Sequence, residues 1–294
     1  MSLIYKDLSP EDRNRLPGVL MNMKSRGMEY TTGNLFLYRS IYHPEIAWYE
    51  GGASEREKGV YTYSWPYGTK DPIGVIEQME PDPRNGEFRL SMISSDDVEM
   101  IKNSKLAGEV ESISMEPEFE YVYRASDLAH LPGKKYHSKR NFCTRFEKNN
   151  PGYKTEIITK DNIGEVREMT EKWFKIAEER GTWDEEDYIC TMAAIDNYFF
   201  LGFFGILLRT EAGTVAWTCG EKVNDECFCS HIEKAFRDVE GSYAVINRDF
   251  ARILEKDYQY INREDDAGQE GLRKAKMSYE PAKLIEKYSV MMKK

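Results

Sequence analysis

The stretch 202–262 constrains the fold more than any other part of the chain. Three strand-like segments follow one another there, 202–209, 214–222 and 226–234. Their joints, Thr210-Glu211-Ala212-Gly213 and Val223-Asn224-Asp225, have the turn chemistry of antiparallel hairpins. A helical pattern over 241–255 comes next, with Ala244, Val245, Phe250, Ile253 and Leu254 apolar. It leads into the alternating run Tyr258, Tyr260, Ile261. If the strands ending at Lys234 and Asn262 share a sheet, a right-handed crossover joins them and they run parallel. An antiparallel meander followed by a parallel crossover predicts a mixed sheet covered by helices, in the α/β (α+β) class.

The first half has the same ingredients. Ser9, Pro10 and Asp12 predict a capped helix reaching to about Ser25. A hairpin is expected from 46–50 to 60–65 across the polar loop 51–59, then a helix over 71–79 and a strand over 87–93. Ser94 caps another helix, and a strand is expected over 118–124. Leu131-Pro132-Gly133 punctuates the middle and introduces a basic helix over 134–149, which Asn150-Pro151-Gly152 stops. After Pro151 a strand, a cap and a long amphipathic helix over 163–179 repeat the opening pattern. With 294 residues, more than one core usually holds, two domains are expected, 1–150 and 151–294. A last strand over 283–291 should complete the second.

Composition excludes several classes. The hydrophobic fraction of 40% comes with no apolar run near the ~18 residues of a membrane span. The N-terminal sequence lacks a basic region followed by an apolar one, so a cytoplasmic protein is expected. Five cysteines without framework spacing point to reduced thiols. A net charge of −10 disfavours a broad polyanion-binding surface, although a local basic patch survives an acidic total.

Chemistry is expected where the two parallel strands end and the crossover helix begins. That end carries Glu233, Gly241, Ser242 and Tyr243, and then Arg263, Glu264 and Asp265. The backbone N–H groups of Gly241, Ser242 and Tyr243 suit a donor phosphate, with Lys139 and Arg140 of the basic helix as a cationic wall. The alternative is a helix that merely connects domains. The stretch 258–281 concentrates Arg263, Glu264, Asp265, Asp266, Glu270, Arg273, Lys274 and Lys276, either as a solvated turn and helix or as a substrate site. Cys227, Cys229, His231 and Glu233 alternate along one strand face. A flat strand does not wrap such residues around one tetrahedral ion, so core packing and no metal are expected.

The motifs Asn262-Arg263-Glu264-Asp265-Asp266, Gly271-Leu272-Arg273-Lys274-Ala275-Lys276, Ser278-Tyr279 with Pro281, Leu131-Pro132-Gly133-Lys134-Lys135 and Lys139-Arg140-Asn141 resemble a bacterial family related to the C-terminal domain of phosphatidylglycerol lysyltransferase. The resemblance spans about 34–288. It implies two tandem GNAT-like acyl-CoA N-acyltransferase domains, each a mixed, mostly antiparallel sheet flanked by helices, as in the Fem peptidyltransferases that draw on aminoacyl-tRNA. An acidic residue on the strand before the crossover helix holds the substrate amine in those relatives, and Glu233 matches it; Lys276 matches a lysine late in the final motif. The implied activity moves an acyl or aminoacyl group from acyl-CoA or aminoacyl-tRNA to an amine or hydroxyl. Arg263, Arg273 and Lys276 would bind substrate, Arg273, Lys276 or backbone N–H groups would polarise the carbonyl, Glu264 or Asp265 would take the acceptor proton, and Tyr279 would protonate the leaving group. The stretch Arg237 to Ser242 has one residue too many for the pyrophosphate signature of acetyltransferases, and the acidic total fits tRNA poorly. A non-catalytic GNAT-like module binding a small charged ligand or a partner protein therefore stays open beside the enzyme, as does RNA binding through the basic helix.

Overall fold

The computed structural model describes residues 3–21, 27–117 and 119–294. In chain order the strands are β1 (Lys6–Asp7), β2 (Pro44–Tyr49), β3 (Gly52–Glu57), β4 (Thr62–Tyr63), β5 (Glu87–Ile93), β6 (Val110–Met115), β7 (Glu120–Arg124), β8 (Lys154–Ile157), β9 (Phe204–Thr210), β10 (Gly213–Lys222), β11 (Cys227–Ala235), β12 (Tyr260–Asn262), β13 (Lys283–Ile285) and β14 (Tyr288–Lys293). They form two mixed sheets, ordered β1-β2-β3-β4-β5-β14-β6 and β13-β7-β12-β11-β10-β9-β8. Among the described residues no helix is long and apolar enough to cross a membrane.

The chain divides into two compact units. One comprises Met1–Glu120, Asp265–Glu270 and Leu284–Lys294; the other comprises Tyr121–Glu264 and Gly271–Lys283. A single cut near 150 would put the basic helix, His137–Asn149, in the first unit, whereas its contacts put it in the second.

In the first unit Ser9 caps as expected, its N–H and hydroxyl both donating to Asp12 Oδ2 at 2.8 Å. The predicted long helix is instead a 3-10 turn, Pro10–Asn14, followed by Leu16–Leu20, and its expected end at 22–25 lies outside the described residues, as does Glu118. The loop expected over 51–59 is a strand, for β3 pairs with β2 throughout. Polarity hid it. Ser54 and Glu55 are built into the interior, where the Tyr5 hydroxyl pairs with Ser54 Oγ at 2.8 Å and the Tyr67 hydroxyl donates to Glu55 Oε2 at 3.3 Å. Buried polar groups survive when they find such partners, and a hydropathy pattern cannot anticipate them.

The second unit matches the sequence closely. β9, β10 and β11 form the antiparallel meander, and β12 joins β11 in parallel after the crossover helix Ser242–Leu254. That helix carries Val245, Ile246, Phe250, Ala251 and Leu254 into a core with Phe228, Ile206, Leu208 and Phe146.

The last strand departs from expectation. The run 283–291 breaks at Glu286-Lys287, and β14 lies between β5 and β6 in the first sheet. Lys287 sits at that break, 3% exposed, paired with Glu29 and 3.1 Å from Glu120 Oε1. Burial, with the neighbouring Glu120, pushes the Glu29 carboxyl up to about 8 against the opposing pull of Lys287. Burial works against the Lys287 charge, but the carboxylates outweigh it and hold its pKa above the ordinary lysine value. One buried ammonium thus faces the carboxyl groups of Glu29 and Glu120, with Asp265 Oδ2 at 3.7 Å.

Lys287→Met leaves the acids without a countercharge, so it should lower unfolding free energy by about 3–5 kcal/mol in urea titrations. Glu29→Gln should cost far less, because Glu29 is largely protonated already near neutral pH. Glu29 holds its proton more tightly folded than unfolded, so its contribution to stability falls as pH rises from 4.5 to about 8. Glu29→Gln should flatten that decline. An unaltered pH–stability curve would refute the assignment.

Candidate functional site

The geometry of the second unit turns on one extra residue in β11. Across the β10–β11 pair Gly220 lies opposite Ser230 and Cys219 opposite Ile232, so His231 has no counterpart. This is a β-bulge, which bends the strand and interrupts its alternation. Gly220 makes room for it, since a Cβ there would lie 1.7 Å from Cys229 O. On the other side β12 pairs with β11 for three residues only, ending with Asn262 opposite Cys229. Beyond that point the chain after β12 follows β7 instead, with Arg263 N–H donating to Tyr121 O and Tyr121 N–H to Glu264 O.

The bulge separates residues that simple alternation puts together. Before it, Phe228 faces the crossover helix and packs on Phe250, with ring centroids 5.6 Å apart. After it, Glu233 and Ala235 take that face: Asn247 of the helix donates to Glu233 Oε2 at 3.3 Å, and Ala235 joins the core. Cys229 and His231 belong to a different cluster. The expectation that Cys227, Cys229, His231 and Glu233 share one face is corrected accordingly.

Around Glu233 a closed group assembles. Arg263 Nη2 donates to Glu233 Oε1 at 2.8 Å, with both side chains under 15% exposed. The guanidinium carbon lies 5.0 Å from the ring centre of Tyr279 and 5.7 Å from that of Tyr123. Lys139 Nζ lies 4.0 Å from the Tyr279 ring centre. Burial, and then the nearby Arg263, lowers the Lys139 pKa below the usual lysine value. Burial raises the Tyr279 phenol despite Arg263, so the hydroxyl keeps its proton. Lys276 Nζ donates to Arg263 O at 2.5 Å, the Tyr123 hydroxyl to Lys276 O at 2.8 Å, and the Tyr136 hydroxyl to Tyr279 O at 2.9 Å. These bonds hold the segment bearing Arg263 against the one bearing Tyr279. Two atoms are left over: Arg263 Nη1 and Asn247 Oδ1 are buried without a hydrogen-bond partner among the described residues. One is a donor and the other an acceptor, and both belong to residues bonded to Glu233.

Five of the expected residues thus meet: Glu233, Arg263, Lys276, Tyr279 and Lys139. Arg273 does not share their burial, lying exposed on the helix Glu270–Met277. Asp265 belongs to the first unit, 3.7 Å from Lys287 Nζ. Arg140 Nη1 donates to Leu131 O and Gly133 O, fastening the loop before its own helix. At the start of the crossover helix Gly241 has φ 86, and a Cβ there would lie 2.3 Å from Phe142 O. Ser242 is 2% exposed, with its N–H donating to Val239 O and its hydroxyl to Phe236 O. Gly241 and Ser242 are therefore committed to packing. Tyr243, next along, is half-buried against the core of the unit. Asn247 is not among the expected residues; its signal in the sequence is a polar residue within an otherwise apolar helix face.

Glu264 stands in the second cluster. Its Oε1 lies 2.7 Å from His231 Nδ1, while His231 Nε2 lies 3.0 Å from Glu221 Oε1. Cys229 Sγ is 3.6 Å from the same Nδ1. Burial disfavours the charged imidazole, but Cys229 and the two carboxylates outweigh it and hold His231 well above its ordinary value. A base role for Glu264 at the Glu233 group does not follow from this placement.

The family described as phosphatidylglycerol lysyltransferase, C-terminal, matches residues 21–291. A conserved protein of unknown function from Bacteroides thetaiotaomicron is 30% identical, covers 99% of this chain and all of its own, and superposes with a TM-score of 0.91. L-PGS from Bacillus licheniformis shares the fold at 15% identity and a TM-score of 0.62, over 98% of this chain and 93% of that one. FemX does so at 9% identity and a TM-score of 0.58, over 98% and 97%. The two mixed sheets flanked by helices are the fold shared with L-PGS and FemX, and the family suggests an aminoacyl- or acyltransferase-like function. With almost its whole length matched, the chain belongs to the phosphatidylglycerol lysyltransferase C-terminal family.

Proposed function

We propose that the chain is a cytoplasmic aminoacyltransferase that moves an aminoacyl group from a phosphate-containing donor to an amine or hydroxyl. The observation that carries this reading is the pair of orphaned atoms beside Glu233. Glu233 Oε2 receives only a long 3.3 Å bond from Asn247, which leaves it acceptor capacity for a ligand ammonium. Asn247 Oδ1 offers that ammonium a second acceptor, and Arg263 Nη1 offers a donor to a carbonyl oxygen. An α- or side-chain amine together with an acyl carbonyl matches this set; a plain acyl chain does not. The lysyl group named in the family's description is the first to test.

In such a transfer the acceptor nitrogen or oxygen attacks the ester carbonyl carbon and forms the new bond to it. Arg263 stabilises the oxygen as it becomes negative. Lys139, with its depressed pKa, takes the proton lost by the acceptor. Collapse breaks the ester C–O bond, and Tyr279, which retains its proton, protonates the departing oxygen. Lys276 positions Arg263 through its bond to the Arg263 carbonyl. Aminoacyl-tRNA is favoured over acyl-CoA because Gly241 and Ser242 are packed rather than open to a pyrophosphate. The exposed Lys134, in the turn before the basic helix, and Lys148, in its last turn, supply local positive charge for RNA despite the acidic total. The same packing favours a second reading, a non-catalytic module that holds a free amino acid.

Transfer from lysyl-tRNA to amine and hydroxyl acceptors separates the two. Glu233→Gln should lower kcat/KM by about 100-fold with an unchanged circular dichroism spectrum, a loss of the size expected for a contact that positions the reacting group. Stabilisation by lysine amide without transfer from any donor would favour the second reading, and full activity in Glu233→Gln would refute both. The general base must be neutral to work. Activity should therefore fall as pH drops through a pKa below the ordinary lysine value of 10.5, and Lys139→Met should abolish that limb. A wild-type pH profile in Lys139→Met would remove the lysine from the mechanism.

A further inference from the structure

The cluster on β11 and the end of β12 plays no part in this chemistry, and it has the composition of a metal site. We propose that Cys229, His231 and Glu264 bind a divalent cation of the zinc type, with Glu221 orienting the histidine. One thiol sulfur, one imidazole nitrogen and one carboxylate oxygen lie within 4.8 Å of one another. The sides of the triangle are 3.6 Å for sulfur to nitrogen, 3.8 Å for sulfur to oxygen and 2.7 Å for nitrogen to oxygen. Zinc bonds of about 2.0 Å to nitrogen or oxygen and about 2.3 Å to sulfur give tetrahedral edges of roughly 3.3–3.6 Å. Two sides already fit, and the third needs to open by roughly half an ångström, which a carboxylate rotation supplies.

The surroundings are those of a built site. A ligating histidine commonly gives its other N–H to a carboxylate, which fixes the tautomer and points the free lone pair at the metal. Glu221 Oε1, 3.0 Å from Nε2, is placed to receive that proton and leave Nδ1 for the ion. Cys229 is fully buried, the His231 side chain is 1% exposed, and the ring packs on Phe203 at 5.5 Å. Glu264 is delivered by a turn: its φ is 59, a left-handed conformation unfavourable to a residue with a Cβ, and its N–H donates to Asn262 Oδ1 at 2.8 Å. The β11 bulge makes the arrangement possible, since it brings His231 beside Glu264 while turning Glu233 to the crossover helix. The fourth position is left for water or the second Glu264 oxygen, and the ion would clamp the end of β12 to the bulge. This inference does not depend on the transferase reading.

Cobalt(II) substitution tests it on the intact chain, because a tetrahedral thiolate site gives visible d–d bands and a sulfur-to-cobalt charge-transfer band. One equivalent of cobalt should produce both, and one equivalent of zinc should remove them. Cys229→Ser should lose the charge-transfer band while Cys219→Ser, at a buried cysteine outside the set, keeps it. Glu221→Gln should weaken zinc binding about 10- to 100-fold. If Cys229→Ser loses its native circular dichroism, Glu264→Gln decides the matter through zinc affinity, which should fall at least about 100-fold. Absence of cobalt bands in the parent chain, charge transfer unchanged in a folded Cys229→Ser, or unchanged zinc affinity in Glu264→Gln would each overturn the proposal.

Discussion

A single unpaired residue in β11 governs what the second unit can do. Had the strand kept strict alternation, Cys227, Cys229, His231 and Glu233 would line one face and a single mixed site would result. The bulge at His231 shifts every later side chain to the opposite face. Glu233 therefore meets Asn247 and Arg263, while His231 meets Glu221 and Glu264. Because β12 pairs with β11 for only three residues, the chain beyond it is free to carry Arg263 and Glu264 in different directions.

The Glu233–Arg263 pair is not explained by stability alone. A buried ion pair roughly breaks even against well-packed apolar side chains once desolvation is counted, so the fold has little to gain from it. What the pair provides is fixed polarity in an apolar setting. Tyr123, Tyr136 and Tyr279 surround or brace it, and Lys276 ties down the backbone of Arg263. Dipoles held in place need no reorganisation when charge develops beside them, which is the usual basis of carbonyl activation.

The order of elements in the second unit was legible because each signal there is local: turn residues between strands, then a helix with an apolar stripe, then a short aromatic strand. The resemblance carried by the motifs around Arg263 and Tyr279 pointed to the right family. Other features depended on distant partners. β3 reads as a polar loop until Tyr67 is seen to satisfy Glu55, and the last strand reads as continuous until Lys287 is seen among Glu29 and Glu120. The bulge leaves no mark in a pattern of period two, so the two clusters were read as one. Arg140 and Ser242 looked like anion ligands because a basic helix and a helix start are both consistent with that role; only the structure shows Arg140 bonded to Leu131 and Gly133, and Ser242 to Phe236 and Val239.

The central claim is that the buried atoms around Glu233 receive an amine and a carbonyl together. A crystal structure with a non-hydrolysable lysyl ester or amide analogue tests it most directly. The account predicts an ammonium within hydrogen-bonding distance of Glu233 Oε2 and Asn247 Oδ1, with the carbonyl oxygen facing Arg263 Nη1. An analogue bound elsewhere, with those atoms keeping their present contacts, would contradict it.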